Sequence, residues 1–157
     1  MITDALLRLS DAQSVIIASG AEAESTNIID LGANVVSGTT IARSVGEGEP
    51  VYIVASFSKT LAGAGASLTV TVETHTAADF ATAKTVRASS GPIAVADLVG
   101  EQVVIQIPRI IGNSPHRYMA VRYAATGANV TAGTVTTNIV LDVQDVGKYY
   151  ASGFTVA

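Results

Sequence analysis

The chain has 157 residues, which suits one domain, and its net charge of −4 without a basic run predicts no nucleic-acid partner. It has no cysteine, so disulfides and thiolate metal sites are excluded. Charged residues make up only 14%, against about 25% in typical soluble domains. So weakly charged a surface indicates either burial against partner proteins or an ordinary threonine-rich sandwich.

The first predicted element is a helix over Met1–Gln13. Thr3 is a suitable N-cap, and helical spacing would place Ile2, Leu6 and Leu9 on one side. So short a helix needs tertiary contacts, and an extended arm lying on a neighbouring subunit is an equal alternative. The sequence leaves both interpretations open.

Short apolar stretches then predict strands at Val15–Ala18, Asn27–Leu31 and Gly38–Ile41. Gly46–Pro50 combines two glycines with a proline, which indicates a loop. Val51–Ser58 is a stronger strand candidate because both of its alternating faces are fairly apolar. We therefore expect it at the centre of a sheet.

The clearest strand pattern is Ser67–His75, in which apolar and polar side chains alternate without a break. One face should lie on a core, and the other, with Glu73 and His75, in water. The glycine-rich segment Leu61–Ala66 predicts a turn before it. We therefore expect Val51–Ser58 and Ser67–His75 to pair as a hairpin.

The later elements continue the alternation. Strands are predicted at Lys84–Ala88 (ended by Gly91 and Pro92), Glu101–Ile107, Arg117–Ala124 and Thr134–Gln144, with a turn or one helical turn at Val95–Gly100. The uncharged run Tyr123–Leu141 is long enough to span a bilayer, but glycines and asparagines divide it, so no membrane association is predicted. These elements predict an all-β antiparallel β-sandwich: one domain over residues 1–157, with an N-terminal arm (1–13) and a C-terminal tail (145–157).

Two groups of side chains are candidates for contact with a partner. The tail either folds back on its own core or docks on a neighbouring subunit, because it carries three aromatic residues that are costly to leave in water: Tyr149, Tyr150 and Phe154. A second group lies near one predicted end of the sandwich and would meet an acidic partner or form local ion pairs: Arg109, Arg117 and Arg122.

No catalytic, metal or cofactor site is predicted. His75 and His116, the two histidines, have no metal-ligand spacing between them and are expected in solvent. No Gly-x-Ser-x-Gly motif occurs, and the acidic pairs in Gly46–Pro50 and Asp142–Asp145 are more typical of solvated charge than of acid–base catalysis. We therefore expect a protein that is not an enzyme.

Several short motifs, spread in order along the chain, resemble one protein family. They are the start Met1–Gln13, Ile29–Gly32, the loop Gly46–Pro50, Asp79–Thr82 and the ending Ala151–Ala157. In these motifs the chain is similar to the capsid cement, or decoration, proteins of tailed phages of the Bordetella-phage type. The resemblance implies a jelly-roll sandwich, without enzymatic activity, that binds outside the capsid and bridges subunits of the major capsid protein.

The same resemblance implies oligomers on the shell, and we expect a homodimer ahead of a trimer. The protein would be made in the host cytoplasm and reside on the surface of the virion. The residues expected to contact the capsid or another copy are Leu6, Leu7, Leu9, Arg109, Tyr149, Tyr150 and Phe154.

Two other classes of function stay open. A carbohydrate-binding sandwich would need flat aromatic platforms, for which Tyr118, Tyr149 or Tyr150 would serve since tryptophan is absent. A hydrolase with an unrecognised site would need a cleft with convergent polar groups.

Overall fold

The structure, a computed structural model, describes residues 5–36, 39–42, 44–45, 48–80, 84–111 and 117–141. The strands of these residues, in chain order, are β1 (Arg8–Ser14), β2 (Glu22–Glu24), β3 (Ile29–Asp30), β4 (Ala33–Val36), β5 (Thr39–Ala42), β6 (Ser44–Val45), β7 (Val51–Phe57), β8 (Ser67–His75), β9 (Thr85–Ala94), β10 (Gln102–Ile107), β11 (Ile110–Ile111), β12 (Tyr118–Thr126) and β13 (Thr134–Val140). Helical structure in the same residues is limited to two 3₁₀ turns, Ala5–Leu7 and Val95–Leu98. Neither could cross a membrane.

Two antiparallel sheets pack face to face as a sandwich. Sheet 1 has the order β1-β13-β7-β10, and sheet 2 has the order β2-β12-β8-β9 with β3 also paired to β12. This is the strand order of a jelly roll, in which most successive strands belong to opposite sheets. Two short ribbons, β4–β5 and β6–β11, complete the described strands. The predicted all-β sandwich is confirmed.

The core lies between the sheets, and the alternation along each strand supplies it. In β8 and β12 the inward side chains are fully buried, and those of β7 and β10 meet them from sheet 1. Burying one Val, Leu or Ile contributes about 1.5–3 kcal/mol. Inward positions include Leu68, Val70, Val72, Met119, Val121 and Tyr123 of sheet 2, and Ile53, Ala55, Phe57, Val103, Ile105 and Ile107 of sheet 1.

The predicted N-terminal helix is wrong for the described residues. After the 3₁₀ turn the chain extends as β1, which pairs with β13 through an irregular register. Leu9 then enters the core with no exposed surface, and the backbone of Ala12 adopts a positive φ of 45° at an irregularity. The weak local preference for a helix is overridden because only an extended strand completes sheet 1 and buries Leu9. Residues 1–4 lie outside the described part.

The predicted hairpin of Val51–Ser58 with Ser67–His75 is also wrong. Both segments are strands, but β7 belongs to sheet 1 and β8 to sheet 2. The intervening segment crosses the sandwich and is held by the bridge between Ala62 and Ala132, where the Ala62 amide donates to the Ala132 carbonyl at 3.0 Å. Alternation identifies each strand, but two strands with equally apolar inner faces can pair or stack.

Gly91 and Pro92 do not end β9, as predicted, but lie within it. The strand is at an edge of sheet 2, where a proline without an N–H is tolerated. Its pairing with β8 is irregular between Thr69 and Thr71, and there the Ser90 hydroxyl accepts the Val70 amide proton at 3.0 Å. The side chain thus replaces a ladder hydrogen bond at the bulge.

A buried hydroxyl cluster joins the two sheets. The Tyr123 hydroxyl lies 2.6 Å from Thr137 Oγ1 and 2.9 Å from Ser10 Oγ, and all three residues are buried. Burial raises the pKa of Tyr123, because the phenolate would lose its hydration. The cluster satisfies polar groups within the core and fixes β1 and β13 against β12.

Candidate interaction surfaces

The predicted contact residues are distributed unevenly. Leu6 and Leu7, on the first 3₁₀ turn, are 83% and 41% exposed, whereas Leu9 is fully buried in the chain's own core. Leu9 is therefore not available to a partner in this fold. Arg109 lies exposed after β10, where its carbonyl oxygen accepts a hydrogen bond from Arg87. The predicted contacts Tyr149, Tyr150 and Phe154 lie outside the described residues, as does the tail from 145 to 157.

Leu6 stands beside a surface groove at the start of β1. Within the groove Asn27 Nδ2 donates to the Arg8 carbonyl at 2.9 Å, which ties β1 to the segment after β2. The groove has a volume of about 390 Å³ and is lined by Leu6, Arg8, Thr26, Asn27, Ile28 and Ile29. The groove is mixed in character, because the exposed Leu6 and the half-buried isoleucines stand beside an arginine, a threonine and an asparagine.

The outer face of sheet 1 is uncharged over three neighbouring strands. We call it the neutral face; its members alternate with core residues along β7, β10 and β13 and contain only Tyr, Val, Ser, Thr, Gln and Asn. They are Tyr52, Val54, Ser56, Gln102, Val104, Gln106, Thr134, Thr136, Asn138 and Val140. Three of these residues, Val54, Asn138 and Val140, are already buried in the single chain, so the accessible part of the neutral face is formed by the other seven. A solvated sheet face normally carries charges, and covering this uncharged one would cost little hydration.

Asn138 lies within the neutral face. It is 8% exposed, and among the described residues no donor reaches its Oδ1. A buried acceptor without a partner costs free energy, so Asn138 is a locally unfavourable position within the neutral face.

The outer face of sheet 2 instead carries an ion cluster around Arg122. Its guanidinium donates to Glu73 at 2.8 Å and to Glu22 and Glu24 at 3.1 Å each, and Lys84 also donates to Glu22 at 3.1 Å. Each carboxylate is already paired with a cation, so the cluster pins β2, β8 and β12 together rather than presenting a general acid and base across a cleft.

The pKa values of two carboxyls in this cluster move in opposite directions. The hydrogen bond from Lys84 holds the pKa of Glu22 below its usual value, because the cation stabilises the carboxylate. Burial raises the pKa of Glu24, since desolvation outweighs its attraction to Arg122. Both carboxyls nevertheless accept hydrogen bonds from cations of the ion cluster, Glu22 from Lys84 and Arg122, and Glu24 from Arg122.

His75 is not in solvent, contrary to the prediction. It is 5% exposed, its Nδ1 lies 3.0 Å from the Ala77 amide nitrogen, and its ring centroid lies 5.6 Å from that of Phe80. The segment after β8 turns back over the end of the strand, so a position on the outer face becomes buried. The other histidine, His116, lies outside the described residues.

Comparison with known protein families decides the affiliation. A sequence model of the Bbp16 family matches residues 9–139. The chain belongs to the Bbp16 family. The family name points to a protein of a Bordetella phage. None of the curated proteins compared matches the chain.

The Bbp16 match begins at Leu9 in β1 and ends at Ile139 in β13, so it covers both sheets of the sandwich. Leu6 and Leu7 precede it, and the aromatic tail follows it. The sheets and their outer faces, except Arg8 and Val140 at the two ends, thus lie within the Bbp16 region, whereas most of the contact residues predicted from the sequence lie beyond it.

Other features of this Bbp16 chain bear on the alternative functions. Arg117 forms two hydrogen bonds with Asp30, at 3.1 and 2.9 Å, and its guanidinium carbon lies 4.8 Å from the centroid of the Tyr118 ring. That side of Tyr118 is therefore occupied by the cation. Among the residues that the structure describes, no group of three or more His, Cys, Asp or Glu side chains is arranged to hold a metal ion.

Sequence reasoning missed both the neutral face and the ion cluster, although part of each signal was present. The residues between the inward positions of β7, β10 and β13 are uncharged, and reading only those alternate positions reveals the neutral face. The ion cluster could not be predicted from the sequence, because Glu22, Glu73 and Arg122 come together only when β2, β8 and β12 lie side by side.

Proposed function

We propose that this protein is a structural component of a phage virion that binds the outside of the capsid and cements subunits of the major capsid protein. The carrying observation is the neutral face, which lies within the Bbp16 region of a jelly-roll sandwich except for Val140 at its end. Family membership supports a phage protein, and the earlier resemblance supports the capsid as its place.

The neutral face suits docking because little hydration is lost when it is covered. Hydroxyl and amide side chains exchange water for partner hydrogen bonds, whereas a charged face would lose strong ion hydration. Leu6 offers a second contact, since burying its exposed side chain would contribute about 1.5–3 kcal/mol.

Cementing works in this proposal by repetition. Each copy, as part of a homo-oligomer, makes modest contacts with more than one capsid subunit, and the linked contacts act at a high effective concentration. Separation of neighbouring subunits then requires several contacts to break together. The shell would resist the pressure of packaged DNA without any chemical step.

The first prediction is that S56K prevents binding to capsids, whereas T69K does not. Ser56 lies half-buried in the neutral face on β7, and Thr69 lies half-buried on the outer face of sheet 2 on β8. A lysine at position 56 would be buried without a counter-ion in the interface. Co-sedimentation with capsids stripped of this protein should show binding at least about tenfold weaker for S56K.

T69K is the matched control, because it adds the same charge to a central strand of the other sheet. Equal binding by both variants would reject the neutral face as the contact surface. If the unmodified protein does not sediment with capsids at all, the cementing function itself is wrong.

Glycan binding receives less support, because one side of Tyr118 is covered by Arg117. Retention of the protein on a glycan array, together with absence of capsid binding, would favour it over cementing.

A further inference from the structure

The two sheets have four edges, and three of them carry features that discourage pairing with another chain. The edge strand β1 contains Arg8 and Asp11 and has two irregularities in its register. In β9 the edge includes Arg87, Pro92 and two further irregularities. The third edge, β2, is three residues long and two of them are glutamates. Charge, proline, bulges and shortness are the usual protections of a sheet edge.

The fourth edge, β10, has none of these protections in its own sequence, although β9 of sheet 2 lies close to it and Arg87 of β9 donates to the Arg109 carbonyl just after the strand ends. The sequence of β10, Gln-Val-Val-Ile-Gln-Ile, contains no charge and no proline, and it pairs with β7 in six consecutive register positions without a bulge. Among the described strands, β7 is the one that pairs with it. A regular, uncharged and β-branched edge strand is a template for another strand.

The hydrogen bonds to β7 show which backbone groups of β10 are left at the free edge. The Phe57 amide donates to the Glu101 carbonyl at 2.9 Å, and this pair continues the register of Gln102 with Ser56. Hydrogen-bonded pairs alternate along an antiparallel ladder, so Val103, Ile105 and Ile107 point their backbone groups at β7. The amides and carbonyls of the alternate residues therefore point outward: Gln102, Val104 and Gln106.

The sequence around Val104 is self-complementary. Read in either direction from Val104, the chain meets first a β-branched residue, Val103 or Ile105, and then a glutamine, Gln102 or Gln106. A two-fold axis through Val104 would pair glutamine with glutamine and valine with isoleucine, and it would keep inward residues opposite inward residues. This register preserves both faces of the sheet.

We propose that β10 pairs antiparallel with β10 of a second copy about a two-fold axis through Val104, which joins the two copies of sheet 1 into one continuous sheet. The outward backbone groups of Gln102, Val104 and Gln106 would form about six hydrogen bonds across the axis. Such an interface is isologous, with the same strand contributed by each copy.

The side chains at this junction are also compatible with antiparallel pairing of the two β10 strands. Val104 is 44% exposed in the single chain and would pack against Val104 of the second copy. The amides of Gln102 and Gln106, on either side of it, would bond across the axis. The two neutral faces would become one larger uncharged surface, which deepens the homo-oligomer part of the proposed function.

Introducing a charge at Val104 tests the proposed two-fold axis directly. V104K and V104E each place like charges opposite one another and should be monomeric when measured alone by sedimentation velocity, with dimerisation at least about tenfold weaker than in the unmodified protein. An equimolar mixture of V104K and V104E should recover a dimer. V86K is the control, because Val86 is an exposed valine on the edge strand β9 and its substitution should leave the dimer intact.

Any one of three results would overturn this pairing: an unmodified protein that is monomeric up to millimolar concentration, a V104K variant that dimerises as well as V86K, or a mixture that stays monomeric. These measurements use the free protein, so they do not depend on capsid binding. S56K should remain dimeric while failing on capsids, which separates failure of this interface from failure of the cementing function.

Amide hydrogen exchange provides a second readout at single residues. Slower exchange at Gln102, Val104 and Gln106 is expected as the protein concentration rises, and this effect should be absent in V104K. Protection at Val103, Ile105 and Ile107 comes from β7 and should persist in every variant, which verifies that V104K is folded. Exchange at the outward amides that is independent of concentration would contradict the pairing.

Discussion

Single residues in this sandwich act mainly as connectors between strands. The Tyr123 hydroxyl is the clearest case, because it joins Ser10 of β1 and Thr137 of β13 inside the core. Without this hydroxyl, two buried polar groups lose a partner. In a low-dielectric interior that loss costs more than an average exposed hydrogen bond.

Y123F should therefore lower the free energy of unfolding by about 1–3 kcal/mol, because it removes both hydrogen bonds while keeping the ring. Y52F is the matched control: Tyr52 lies half-buried on the neutral face, and its change should be within about 0.5 kcal/mol. Denaturant titration of both variants measures the difference. Equal stabilities of Y123F and Y52F would show that the hydroxyl cluster contributes nothing.

At the scale of elements, the connection from β7 to β8 decides how the two sheets meet. It packs against the segment before β13, where Gly133 has a φ of +122°. A Cβ at Gly133 would lie 2.7 Å from the Leu61 Cα atom, which belongs to the backbone and cannot move aside easily. The close approach of these two segments thus requires glycine.

G133A should be more destabilising than G20A. Gly20 also has a positive φ, of +80°, but no atom lies within 4 Å of its added Cβ, so G20A should cost only the backbone strain of about 1–2 kcal/mol. G133A adds overpacking of about 1–3 kcal/mol. Thermal unfolding of the two variants gives the comparison, and a G133A protein as stable as G20A would refute the tight contact.

At the scale of the whole molecule, the two outer faces differ in what they offer a partner. Sheet 2 satisfies its charges internally through Arg122, whereas sheet 1 leaves the accessible part of the neutral face and the β10 edge for contact. Because cementing multiplies weak contacts over a shell, its effect should be visible in particles even where one copy binds weakly.

Particles that lack this protein should therefore release their DNA at a lower temperature than complete particles. Adding back the unmodified protein should restore the higher temperature, whereas S56K should not. Release can be followed by fluorescence of a DNA-binding dye during heating. Identical release temperatures with and without the protein would show that it does not reinforce the shell.

Alternation along the chain predicted the long strands of the sandwich well, because a period of two is a local property of each segment, but the short segment Val15–Ala18, also predicted as a strand, is not one. It identified β7, β8, β10 and β12 and placed Val103, Val121 and other inward residues correctly. It was less reliable at strand boundaries: β9 continues through Gly91 and Pro92, since an edge strand tolerates both.

The interaction surfaces were only partly predictable. Leu6 and Leu7 are exposed, as residues that contact a partner must be. Leu9 is instead buried in the core, because β1 is extended and pairs with β13. His75 was expected in solvent because its strand position alternates outward, and the returning segment with Phe80 buries it. Neither outcome follows from local spacing.

The amino-acid sequence by itself determined the long strands β7, β8, β10, β12 and β13, their inward residues and the shortage of surface charge, since these depend on composition and on neighbours two positions apart. Only the tertiary structure decided which strands pair and which stack, and therefore where the ion cluster, the neutral face and the free edge lie. The physical reason is that several distant segments have similar apolar faces and could pair in more than one way. The arrangement that forms is the one in which all of these faces are buried together.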